Sequence, residues 1–299
     1  MKVVKFIAWA VLALMDVAIA FCCGEHFPAV APLFWYGLGL LSPCFQHSLE
    51  DLFDTANWKI SQRKLERGKL IDKNTLIRIS FAYLFRIKVG NKYLLVKNAR
   101  GTGKYQPVGG VYKFRGAEKE ALLNLFQIVD DDKIDIDDSS RDDYRLRLKN
   151  GDLRKFVKRF DDRADRENIA DLSREFKEEL ACDPVAGWDR IEYRVCGRHD
   201  AGLRFSDHFQ ICELLLADVV ELLPTKEQED DLRSLVERCA SGKFRWATAE
   251  EIRSLGTHVA SGDLAANIAE HSKKILQETQ GELIQIRGTG SRHAAHLKY

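Results

Sequence analysis

"SREFKEELAC", residues 173–182, places Arg174, Glu175, Glu178 and Glu179 at positions i, i+1, i+4 and i+5. On a helix that turns about 100° per residue the three glutamates share one face. Three carboxylates held together repel, so they need a cation or neighbouring arginines. Oxygen donors in that number suit Mg2+ or Mn2+, and a metal so held can bridge a diphosphate and activate water. Arg174 would orient the carboxylates. A solvated helix face has the same pattern, so the flanking sequence has to decide between the two.

The flanks read as strands. "LIRISFAYLFRIKVG" (76–90) and "NKYLLVKNA" (91–99) are two β-rich runs joined at Gly90-Asn91, a hairpin turn. "GKYQPVGGVYKF" (103–114) is a further strand with Gly109 and Gly110 after Pro107. Residues 116–166 differ: a helical "GAEKEALLNLF", an acidic loop "DDDKIDIDDSSRDD", then a basic amphipathic stretch from Tyr144. Beyond the charged helix, 188–199 and 207–218 read as strands. Residues 244–255 read as a strand running into a helix, with Thr248 as N-cap and Glu251 at N3, a capping box. A last helix spans 261–277, capped by Ser261 or Asp263, and the polar tail 281–299 is expected to fray.

This order of elements resembles a Nudix domain. The family box is a glycine, five residues, Glu, seven residues, then Arg-Glu-apolar-x-Glu-Glu-x-Gly-apolar. Its second half stands here as Arg174 to Cys182, with Ala181 in place of the glycine. "QPVGG" (106–110) resembles the family's strand end before the box, and "RWATAEEI" (245–252) its late Trp-x-x-x-Glu-Glu element. The box is split: residues 111–173 intervene, and Arg166 stands where its first glutamate belongs. The fold class expected is therefore α+β, a Nudix-like α/β/α sandwich over 76–280 with an insertion at about 116–166.

The N-terminal end has a different texture. Residues 3–23 are apolar except for Lys5 and Asp16, and 29–42 form a second apolar run containing Pro32. The first is long enough to cross a hydrocarbon core of roughly 30 Å. Lys2 and Lys5 precede it, Lys59, Arg63, Lys64, Arg67 and Lys69 follow the second run, and the loop between has no Lys or Arg. The positive-inside rule then gives a transmembrane hairpin over 1–44 with both termini cytoplasmic. A signal peptide cleaved after "AIA" (18–20) is the alternative. Asp16 in mid-bilayer points to hairpins that associate. Residues 45–75 read as an amphipathic, basic linker.

A hairpin anchor joined to a divergent Nudix domain with a long insertion resembles the CD-NTase-associated membrane Nudix effectors of bacterial CBASS antiphage signalling. The resemblance implies an inner-membrane protein. Its Nudix domain binds a cyclic di- or trinucleotide made by a partner CD-NTase, self-associates, and drives the helices to breach the lipid bilayer. The alternative is a membrane-tethered Nudix hydrolase that cleaves a nucleoside diphosphate-linked substrate with Mg2+ or Mn2+, using Glu175, Glu178 and Glu179. Cyclic oligonucleotides carry phosphodiesters only, so a receptor has no use for a complete box.

Composition fits either reading. The chain of 299 residues has 46 basic and 45 acidic residues, net +1, so no global field recruits a DNA or RNA duplex. Its seven cysteines form no CxxC pair or zinc spacing and read as reduced thiols. For a ligand pocket the early strands offer Tyr83, Phe85 and Arg86, with Gly109 and Gly110 beside the box. Tyr105, Arg198, His199, His208 and Trp246 are further candidates, since rings stack on bases and arginine matches phosphate.

Overall fold

The structure, a computed structural model, describes residues 57–98, 102–134, 136–138, 140–162, 165–180, 184–238, 242–257, 266–276 and 283–297, with Leu12, Met15 and Val17. The chain divides into two units, Met1–Ala56 and Asn57–Tyr299. Of the first unit only Leu12, Met15 and Val17 are described, each helical and exposed. The expected hairpin and Asp16 otherwise fall outside the described residues. Among the described residues no helix is long and apolar enough to cross a membrane. This corrects the two-pass inner-membrane location expected from hydropathy. The run that suggested it carries Lys5 and Asp16, each costly in hydrocarbon, so apolar length alone did not establish a span.

The second unit opens with helix α1 (Asn57–Arg67). Two positions four apart face inward: Trp58 is buried, and Gln62 is buried with its amide on the Asn150 side chain at 2.7 Å. This part of the expected linker is thus integral to the folded unit.

Strand β1 (Leu76–Arg86) is the centre of the main sheet. Along one edge it pairs in parallel with β9 (Ile211–Leu222), which pairs antiparallel with β8 (Arg190–Ser206). Its other edge is shared. Leu76 to Ser80 pair with β7 (Arg145–Lys149), and Ala82 to Leu84 pair with β5 (Gly109–Val111). A short smaller sheet joins β2 (Lys88–Val89), β3 (Lys92–Lys97), β4 (Tyr105–Gln106) and β10 (Phe244–Thr248). Leu84, Tyr93, Leu95, Ala217, Ala247, Ile252 and Ile268 form a buried cluster that joins residues of both sheets. Each large apolar side chain so buried contributes roughly 1.5–3 kcal/mol.

The insertion does not hang off the domain. It forms α2 (Glu118–Phe126), β6 (Val129–Asp130), β7 and α3 (Leu153–Asp162). The alternation Leu146/Leu148 inward against Arg145/Arg147 outward makes β7 a sheet strand. Phe156, Val157 and Phe160 bury one face of α3, with Phe160 stacked on Phe81 at 3.7 Å between ring centroids.

Three further expectations meet the structure. The capping box at Thr248 and Glu251 is present, starting α6 (Ala249–Arg253), which follows α5 (Lys226–Arg238) in the chain. The last helix is a 3-10 helix over Glu270–Leu276, and Ser261 and Asp263 fall outside the described residues. The tail was expected to be flexible, but β11 (Leu283–Ile284) and β12 (Arg292–His296) both pair with β8. The exposed edge of β8 offered unpaired backbone groups that these segments satisfy.

Candidate functional site

Helix α4 (Ser173–Leu180) carries the charged stretch. Phe176 and Leu180, four apart, are fully buried and anchor its inner face. Phe176 packs on Phe85 at 5.4 Å and on Trp188 at 6.0 Å between centroids. That leaves Arg174, Glu175, Glu178 and Glu179 facing a cavity of about 390 Å3 that Gly109, Gly110 and Val111 also line.

The glycines bring strand and helix together. Gly109 stands opposite Leu84 and Gly110 opposite Tyr83. The Gly109 amide donates to Glu179 Oε2 at 2.9 Å. At Gly110 a Cβ would overlap the Glu175 carboxylate, so only glycine lets that side chain lie across the strand.

Arg174 organises the rest. Its guanidinium donates to Glu175 Oε1 at 2.6 Å, to the Val111 carbonyl at 3.0 Å and to both Glu167 oxygens at 3.1 Å. Glu167 is buried and also accepts from the Tyr83 hydroxyl at 3.1 Å. Spacing put Arg166 at the first glutamate of the box, yet Glu167, one residue on, pairs with the box arginine. The signal that could have found it was an acidic residue one step out of register at the end of an insertion.

Burial raises the Glu175 carboxyl above its ordinary range, against the pull of Arg174. It pushes Glu179 up to about 8, against the Gly109 amide. Among the described residues no three His, Cys, Asp or Glu side chains are gathered closely enough to hold a metal ion. The donors that expectation named lie along the cavity, but Glu175 and Glu179 are engaged by Arg174 and Gly109. Two basic groups from outside the helix also line it, Lys113 and Arg145, both paired with Asp143.

The other expected ligand residues lie elsewhere. Tyr83 and Phe85 are completely buried, because β1 is covered on both faces. Arg86 is buried with Nε on the Ile275 carbonyl at 2.6 Å. Arg198 is buried between Asp218 and Asp161. Tyr105 donates to the Gly242 carbonyl at 2.8 Å, and Trp246 sits half-buried on β10 opposite Leu94. His208 is exposed in the β8–β9 turn, its ring 4.6 Å from that of Phe209. Of the expected ligand-binding set, the structure gathers Gly109 and Gly110 with the helix residues.

A split box reassembled by two glycines and a helix is the architecture a family comparison can test. The family model for the SMODS-associated NUDIX domain matches residues 76–276. The chain belongs to this family. The mixed sheets and helices are consistent with a Nudix fold. The SMODS association ties the chain to a CD-NTase and its cyclic-nucleotide system, and with it to CBASS-type antiphage defence. No curated protein matches the chain.

Proposed function

We propose that this SMODS-associated NUDIX domain is a non-hydrolysing receptor for a cyclic oligonucleotide messenger, and that the cavity between β5 and α4 takes the ligand. The observation that carries this reading is how the box glutamates are used. Glu179 accepts from the Gly109 amide at 2.9 Å, and Glu175 lies against Arg174 at 2.6 Å. Hydrolysis needs ionised carboxylates aimed at one ion. Burial, which raises the Glu175 and Glu179 carboxyls, works against full negative charge on this wall, while Arg174, Lys113 and Arg145 supply donors suited to phosphate oxygens. At about 390 Å3 the cavity falls within the range of small-molecule sites, roughly 300–1,000 Å3.

A second reading is a Nudix hydrolase acting on a nucleoside diphosphate linkage with Mg2+ or Mn2+. It is favoured by Glu175, Glu178 and Glu179 lining one cavity. Two variants of the full chain separate the readings by calorimetry with cyclic di- and trinucleotides. Arg174→Ala is expected to weaken binding at least about tenfold, the loss of a charged hydrogen-bond donor. The double variant Glu178→Gln with Glu179→Gln is expected to bind within about threefold of the wild type, since Gln keeps the shape of Glu and a carboxylate supplies no donor to a phosphate. Binding unchanged in Arg174→Ala would place the ligand elsewhere. Binding lost in the double variant together with a metal-dependent turnover would favour the hydrolase.

A further inference from the structure

A second cavity, of about 440 Å3, shares no lining residue with the first. Most of its walls come from two elements. One is a bulge in β8, where the register with β9 shifts between Asp200 and Leu203 and Gly202 takes a φ of 84°. The other is the 3-10 helix Glu270–Leu276. Three residues per turn put Ser272 and Ile275 inward, both completely buried. Glu270, His271, Lys273 and Lys274 are left on the cavity side, facing His199 and Arg204 of β8, with Leu215 of β9 also lining it.

The bulge is held in shape before any ligand arrives. The Asp200 carboxylate accepts from the Gly202 amide at 2.8 Å and from the Trp58 amide at 3.2 Å. The Leu203 amide donates to Ser61 Oγ at 2.7 Å. Helix α1 therefore fixes both flanks of the bulge, and the ordering cost of that wall is met by the fold rather than by binding.

Among the described residues that line it, Arg204, Lys273 and Lys274 face one carboxylate, Glu270. Arg204 reaches Glu213 only at 3.9 Å and is largely exposed. Crowding around its ring, and then the Lys274 and Lys104 ammonium groups, push the His271 imidazole down to about 4, although the side chain keeps an open face to solvent. Such a site repels further cations and gains by accepting an anion. Among the described residues that line it the two imidazoles are the only rings, so it suits a compact charged group better than a stacked base.

We propose that this cavity is a second ligand site, one that takes the phosphate or diphosphate group of a small phosphorylated molecule through Arg204, Lys273 and Lys274. It is independent of the ligand in the cavity beside α4. The full chain would be titrated by calorimetry with pyrophosphate, inorganic phosphate, ADP and a cyclic dinucleotide. Three proteins would be compared: wild type, Lys273→Glu with Lys274→Glu, and Arg174→Ala. Pyrophosphate is expected to bind the wild type at a site that Arg174→Ala leaves in place, and the double variant is expected to weaken that site at least about tenfold. ADP binding with the same pattern identifies a diphosphate on a nucleoside as the natural group, and binding of pyrophosphate without ADP identifies the free anion. His271, followed by its ring proton signals, should titrate at higher pH when pyrophosphate is bound. Equal pyrophosphate affinity in the wild type and the double variant, or no binding by the wild type at millimolar concentration, would overturn the proposal. A double variant that failed to fold would be replaced by Arg204→Glu, with the same expectation.

Discussion

Replacing Arg198 by alanine is expected to destabilise the domain by about 3–5 kcal/mol, the loss seen when one partner of a buried ion pair is removed. Arg198 is almost fully buried, with Nε 2.6 Å and Nη2 3.2 Å from the two oxygens of Asp218 and Nη1 2.8 Å from Asp161. Its guanidinium also lies over the Phe81 and Phe160 rings, at 5.6 Å and 5.4 Å. Without it Asp218 stays buried with the Tyr112 hydroxyl, at 2.8 Å, still donating to it. Arg198 bridges β8, β9 and, through Asp161, the insertion helix α3, so its loss should loosen the insertion as well as the sheet. Urea unfolding of the full chain measures the loss. Arg198→Met combined with Asp218→Leu should cost less than Arg198→Ala alone, because no unpaired charge is left inside. A stable Arg198→Ala that had lost only nucleotide binding would return Arg198 to the ligand role its chemistry first suggested.

Gly109 and Gly110 are adjacent, yet alanine should fail at them for different reasons. At Gly109 a Cβ would overlap the backbone carbonyl of Tyr83, and φ is 152°, so neither neighbour nor backbone can give way cheaply. Gly109→Ala is expected to lose about 3 kcal/mol or more, through overpacking against β1 and a backbone conformation L-residues disfavour. At Gly110 the clash is with the Glu175 side chain, which can rotate away. Gly110→Ala should therefore keep most of the stability while moving Glu175 off Arg174 and out of the cavity. Thermal melting beside ligand titration separates the two. Equal and small effects at both positions would mean that β5 and α4 are not as closely apposed as described.

Local pattern made much of the fold legible. Runs of β-favouring residues gave β1 and the β8–β9 pair, and the Thr248–Glu251 spacing gave the capping box because a cap is settled within four residues. The α4 helix was legible for the same reason. What could not be read was decided at a distance. The basic run from Tyr144 looked like one amphipathic segment; its later part is the amphipathic helix α3, but Leu146 and Leu148 turn its start into a strand once the first half of β1 offers an edge. Tyr83 and Phe85 looked like a stacking surface, since a strand beside a pocket usually exposes one face. Here both are covered, Tyr83 by Tyr112 at 5.0 Å and Phe85 by Tyr193 at 5.7 Å. Glu167 was missed because box spacing was counted along the chain, whereas its pairing with Arg174 depends on where the insertion returns. The apolar N-terminal run was read as a span with Asp16 as an assembly contact, whereas among the described residues no helix is long and apolar enough to cross a membrane.

The measurement that tests the receptor reading most directly follows the fate of bound ligand. The full chain would be incubated with cyclic di- and trinucleotides and with ADP-ribose, dinucleoside polyphosphates and NAD, each with Mg2+ or Mn2+. The melting shift and, by mass spectrometry, the recovered ligand would be read from the same sample. The account predicts that one cyclic nucleotide raises the melting temperature and is recovered intact, with or without metal. A linear diphosphate consumed only when metal is present, with no cyclic nucleotide stabilising the protein, would contradict it.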